Sequence, residues 1–182
     1  MKKYVLKFGL IAGAMMSAVM LATMPFMDRI HMEYGMIIGY SSMVLAFLMV
    51  YFGVRAYRDN VLNGVIKFGA AFKTGLLITL LSSACYVATW EILYFGGFAP
   101  DLLGEWATQN IEKAKASGKS QAEIDTEIRG MEKLQTRYKN PLFNIAYTFI
   151  EPLPVGLFFT LLTAGLLSRR RRSANIFVPT GG

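Results

Sequence analysis

Histidine and cysteine each occur once in these 182 residues, as His31 and Cys85. A single cysteine excludes an intrachain disulfide, and Cys85 lies inside an apolar stretch, where it reads as a packing thiol. The same scarcity removes the usual zinc ligand sets and any cysteine–histidine nucleophile pair. No glycine-rich phosphate loop follows a strand, and no serine stands in a nucleophile-elbow setting. Metal-assisted hydrolysis and covalent catalysis therefore lack their customary parts. The expectation is a protein that is not an enzyme, with no cofactor, no metal and no catalytic residue.

Charge is scarce as well. Only 17% of residues are charged, against roughly 25% in soluble domains. What is present in their place is apolar sequence, segregated into four long stretches with most charges in the gaps. That segregation marks a membrane protein rather than a greasy globular one. The net charge of +7 could point to nucleic acid, but the basic residues flank the apolar runs. Helix-end anchoring to anionic lipid accounts for them, so the bilayer is the expected partner and nucleic acid is not.

Residues 8–27 and 35–54 contain no charge, and each has about the 20 residues that crossing roughly 30 Å of hydrocarbon requires. Spans three and four run over 74–98 and 142–167, each apolar except for one acid, Glu91 and Glu151 respectively. The amino-terminal run exceeds the roughly 7 to 15 apolar residues of a signal peptide and lacks a clean cleavage motif, so it counts as a retained span. The fold class expected is all-α: an integral membrane four-helix bundle forming a single domain over 1–172, followed by a disordered tail over 173–182.

Orientation follows the lysines and arginines of the short loops. Lys2, Lys3, Lys7, Arg55, Arg58, Lys67, Lys73 and Arg169 to Arg172 gather on one face with only Asp59 opposing them, which predicts that both termini are cytoplasmic. On the other face Arg29 is offset by Asp28 and Glu33. Lys133, Arg137 and Lys139, close to the outer end of span four, run against the rule. Tyr4, Tyr51 and Tyr57 inside and Tyr34, Trp90, Tyr94 and Phe98 outside form the expected aromatic belts.

Two connections carry patterns of their own. Residues 60–73 place Val61, Val65, Phe68 and Phe72 at helical spacing beside Lys67 and Lys73, which fits a helix along the inner interface or an extension of span three. Residues 99–140 hold two helical stripes, Leu103, Trp106, Asn110 and Ala114, then Ile124, Ile128, Met131 and Leu134. The breaker 116–119 separates them, and Ser120 with Glu123 forms a capping box. An extracytoplasmic helical hairpin is predicted, with Pro100 and Pro141 at its junctions with the spans.

Small residues at four-residue spacing give each span a face for close approach: Gly9, Gly13 and Ser17; Gly35 and Gly39; Gly75, Thr79 and Ser83; Gly156, Thr160 and Ala164. The candidate functional polar residues are Glu151, Glu91, Arg29 and His31. Glu151 is the sharpest, because Pro152 and Pro154 behind it remove amide donors and predict a kinked or unwound helix. A carboxylate beside a broken helix suits cation or proton coupling. The plainer alternative sets Glu151 about one turn below the interface, reaching water or Arg29.

The run Asn63-Gly64-Val65-Ile66-Lys67-Phe68-Gly69, continuing through Ala71-Phe72-Lys73-Thr74-Gly75-Leu76-Leu77-Ile78-Thr79, resembles the bacterial domain-of-unknown-function family numbered 4199. So does Glu151-Pro152 ahead of a final span and basic tail. The resemblance implies a four-span bacterial inner-membrane protein with an extracytoplasmic insertion before the last helix, and it carries over no catalytic residue. The role expected is association with other membrane or envelope proteins, or with itself. The alternative is a small transporter or channel subunit using Glu151 and Glu91.

Overall fold

Apolar sequence in lipid has to satisfy its peptide groups internally, and helices do so within one segment. The computed structural model describes residues 1–29, 32–98 and 102–168, without the side chains of 27–29, 32–33, 102–103 and 105–106. Helices α1 (Lys2–Thr23), α2 (Met32–Val61), α3 (Phe68–Phe95), α4 (Leu102–Ala116), α5 (Gln121–Tyr138), α6 (Pro141–Ile150) and α7 (Pro152–Leu167) follow in order, with a 3₁₀ turn over Met24–Arg29. No strand occurs among the described residues. His31, Ala99, Pro100 and 169–182, which include Arg169 to Arg172 and the predicted tail, lie outside the described residues.

Four segments are long and apolar enough to cross a membrane: Lys2–Phe26, Tyr34–Val61, Phe68–Phe95 and Pro141–Leu167. The second runs further than predicted, and the third starts six residues earlier and stops short of Phe98. Between them residues 60–73 form no helix of their own. Residues 60–61 finish α2, 62–67 turn and 68–73 open α3. The turn passes through the left-handed region at Asn63 and Gly64, and the Gly64 amide bonds back to the Arg58 carbonyl at 3.0 Å, closing the end of α2.

Side-chain pairs fix the directions of the helices. Gly9 lies against Leu81, Gly13 against Cys85, and the Ser17 and Thr89 hydroxyls are 2.8 Å apart, so α1 and α3 run parallel in four-residue steps. Against α7 the order reverses. Gly75 meets Thr160, the Thr79 hydroxyl donates to the Gly156 carbonyl at 3.3 Å, and, continuing onto α6, Trp90 reaches Asn144. α2 enters through Phe47 beside Gly156, Val50 beside Gly75, and Gly53 against Phe8 and Ile78. The start of α1, the end of α2, the start of α3 and the end of α7 therefore share one end, which carries Lys2, Lys3, Lys7, Arg55, Arg58, Lys67 and Lys73.

Three of the four small-residue faces meet partners as expected. The second does not: a Cβ at Gly35 or Gly39 would meet nothing within 4 Å, whereas one at Gly53 would sit 2.6 Å from the Ile78 Cδ1. Close approach of α2 is thus made one half-helix away from the predicted position. The buried apolar side chains, chief among them Met16, Met43, Phe47, Val50, Val54, Ile78 and Leu167, form one cluster among α1, α2, α3 and α7.

α4 and α5 pack on each other, and Ala107, Ala114 and Ile124 are buried between or beneath them. The predicted stripe residues Leu103 and Trp106 have side chains outside the described set. At the start of α5 the Ser120 amide and hydroxyl both donate to Glu123 Oε2, at 2.9 and 2.7 Å. Among the described residues α5 meets α6, while α4 packs extensively only on α5.

Candidate functional site

Proline lacks an amide hydrogen, so Pro152 leaves the Thr148 carbonyl without its ordinary i+4 donor. The Glu151 amide supplies the bond instead, at 3.3 Å, and Glu151 itself keeps right-handed helical dihedrals of φ −63° and ψ −55°. The predicted break is therefore one residue long and interrupts the hydrogen bonding, while the chain continues in the helical direction. Pro152 occupies the first position of α7, where a missing amide costs least.

Glu151 itself lies on the fourth candidate span. Counted from Pro141, where the fourth candidate span begins, it lies ten residues in, or about 15 Å along the axis. Its partner is Tyr86 on α3, whose hydroxyl donates to Glu151 Oε2 at 3.0 Å. The residue as a whole remains exposed. The proposed partner Arg29 has a side chain outside the described residues.

Nearer the end of the molecule that carries α4 and α5, a second set of polar groups closes on Asn144, which is fully buried. Asn144 Oδ1 accepts from Trp90 Nε1 at 3.2 Å and from the Thr148 hydroxyl at 3.1 Å, and Asn144 Nδ2 donates to the Tyr138 carbonyl at 3.2 Å. The Tyr138 hydroxyl lies 3.3 Å from the Thr148 hydroxyl. The Tyr138 ring also meets Tyr94 and Tyr147 edge-on, at 5.4 and 5.7 Å between centroids. Burial pushes the Tyr138 phenol above its ordinary range. This network ties the end of α5 to α3 and α6.

Glu91 is half-buried and joins neither group. Its Oε1 is enclosed with no hydrogen-bond partner among the described residues. Of the four sequence candidates, then, only Glu151 is seen in a defined interaction, and Glu91 is not brought to it. No group of three His, Cys, Asp or Glu among the described residues could hold a metal ion. Composition gave no warning of Asn144, Thr148, Tyr86 or Tyr138. The one available signal was Asn144 with Thr148, a polar pair at i and i+4 on a helix otherwise apolar.

The family described as a protein of unknown function (DUF4199) matches residues 7–169. The chain belongs to that family. No curated protein and no solved structure matches it significantly. In this DUF4199 protein the matched region takes in α1 from residue 7 and all of α2 to α7, the Asn144 network and the Tyr86–Glu151 pair alike, so both polar groups belong to the family region and not to an appended segment.

Proposed function

We propose that this DUF4199 protein is a non-enzymatic, multi-pass protein of the bacterial inner membrane that works by associating with other envelope components. In this reading the spans form a four-helix bundle with both termini cytoplasmic, and α4 with α5 is an extracytoplasmic hairpin offered to a partner. The observation that carries it is the packing of α4 and α5: α5 is held at its end through Tyr138, and among the described residues the extensive packing of α4 is on α5. A helix pair anchored at one end and rich in exposed polar residues suits recognition better than closure of a pore.

The alternative, a small transporter or channel subunit, draws support from the Tyr86–Glu151 pair. Against it stand the apolar filling around Met43, Phe47, Val50 and Val54 and the Thr79–Thr160 hydroxyl contact at 3.1 Å beside Gly156, which close α3 on α7 between Glu151 and the basic end.

Crosslinking in native membranes separates the two. The association reading expects a reproducible set of adducts that disappears when 102–138 is replaced by a short Gly/Ser linker, with insertion intact. A chain that runs alone at its own mass before and after crosslinking removes that reading. Loss of a measured flux in Glu151→Gln would favour the alternative.

A further inference from the structure

Unlike charges one turn apart stabilise a helix and like charges at that spacing destabilise it, so exposed helix faces commonly interleave acids with bases. α5 does not. On one side of it Ile124 and Tyr138 are buried and Ile128, Met131 and Leu134 half-buried. Helical spacing sets Thr126, Arg129, Lys133 and Arg137 on the opposite side, and all four are exposed. The acids of the helix, Glu123, Asp125, Glu127 and Glu132, fall to either flank of that stripe. Among the described residues none of its three cations is in an ion pair, and Arg129 Nη2 donates to the Thr126 hydroxyl at 3.4 Å. Three like charges in successive four-residue steps therefore stand unneutralised on one face, at a cost to the helix itself.

The ordinary reasons for such a stripe do not cover it. Cations complement the helix dipole within the last turn, and of these three only Arg137 lies there. Lysine and arginine beside a span are favoured on the cytoplasmic side, whereas the proposed orientation puts α5 on the other. Arg129 stands about 12 Å from Arg137 along the axis, against roughly 5–7 Å of headgroup depth, so lipid at the membrane end of α5 leaves most of the stripe unused. A Cβ at Gly130 would meet nothing within 4 Å. With Thr126 and Thr136 it keeps the surface between the cations low enough for another backbone to approach.

We propose that Arg129, Lys133 and Arg137 form the surface by which the hairpin takes its partner, and that the partner is an acidic protein segment with carboxylates about 6 Å apart, matching the four-residue steps between the cations. The proposal rests on the association reading and names the chemistry of what is associated.

The probe is a helical peptide with a glutamate at every fourth position and a benzophenone at its centre, added to the full-length protein in phosphatidylcholine nanodiscs. After illumination the adducts are mapped by mass spectrometry, which separates capture on α5 from capture at the basic end of the spans. Saturable labelling of α5 is expected, with none by the glutamine version of the peptide. In Arg129→Gln/Lys133→Gln/Arg137→Gln the peptide concentration needed should rise about tenfold, as three exposed ion pairs together would give. With all three changed to glutamate, circular dichroism should keep the wild-type helix signal and a lysine version of the peptide should label α5 in place of the acidic one. Labelling confined to the basic end, or α5 labelling that the triple variant leaves unchanged, overturns the proposal. So does binding of phosphatidylglycerol vesicles through these three residues without labelling by the peptide, which would make lipid the occupant. Adducts in native membranes that require 102–138 yet survive the triple variant sink this proposal and leave the association reading standing.

Discussion

Asn144 shows how much one polar side chain can hold in a dry setting. Its amide receives Trp90 and Thr148 and gives to the Tyr138 carbonyl, so Asn144→Leu takes that partner from the Trp90 indole and the Tyr138 carbonyl, while Thr148 keeps the Tyr138 hydroxyl. Unsatisfied buried groups cost about 1–3 kcal/mol. The variant is therefore expected to lose about that much in a denaturant titration in mixed micelles, with α5 loosening first by hydrogen exchange. Outside the spans, hydrogen bonds from Ser120 hold the Glu123 carboxyl below the ordinary glutamate range. A depressed folded value means that this stabilisation is complete above the unfolded pKa and fades as pH falls through the folded one. Exchange of the first amides of α5 should thus quicken on acidification through that window, and in Glu123→Gln the pH dependence should flatten.

Helix-to-helix contact in this molecule is a matter of which small residue faces backbone. A Cβ on Gly13 would lie 2.6 Å from the Cys85 Cβ, whereas Gly39 faces open space. Gly13→Val should accordingly force α1 from α3 and lower stability by about 1–3 kcal/mol. Gly39→Ala should change it by no more than about 0.5 kcal/mol. Equal effects of the two in the same unfolding assay would contradict the packing described. Four-residue spacing made Gly9, Gly13, Gly75 and Gly156 legible, because the ridge that approaches a neighbour is written in the sequence. It misplaced the contact on α2, since Gly35, Gly39 and Gly53 are equivalent as letters and only the divergence of the helices tells them apart. Residues 60–73 misled for a related reason. Their amphipathic spacing is real, but the left-handed turn at Asn63 and Gly64 divides it between two helices.

For the molecule as a whole, the four apolar segments commit it to lipid, and alkaline carbonate is expected to leave it in the membrane pellet. The parallel run of α1 with α3 and the reversed run of α7 put the start of α1 and the end of α7 at the same end. In a Cys85→Ser background, a cysteine at Thr126 should react with an impermeant maleimide from outside the inner membrane and one at Ser168 should not. The reverse labelling pattern would invert the proposed orientation while leaving the helix packing untouched.

Hydrophobic length and the scarcity of charge determined by themselves that the chain is helical and built around four segments long and apolar enough to cross a membrane, because a peptide group in hydrocarbon has few other ways to be satisfied. The capping of α5 and the proline-marked junction at Pro141 were equally local and equally readable. Only the tertiary structure decided that Tyr86 reaches Glu151, that Asn144 gathers three partners and that Gly53, not Gly39, is the glycine of α2 that meets its neighbours. Those facts depend on distances between helices far apart in the chain, and a sequence read along its length carries the period of each helix but not the gap between two of them.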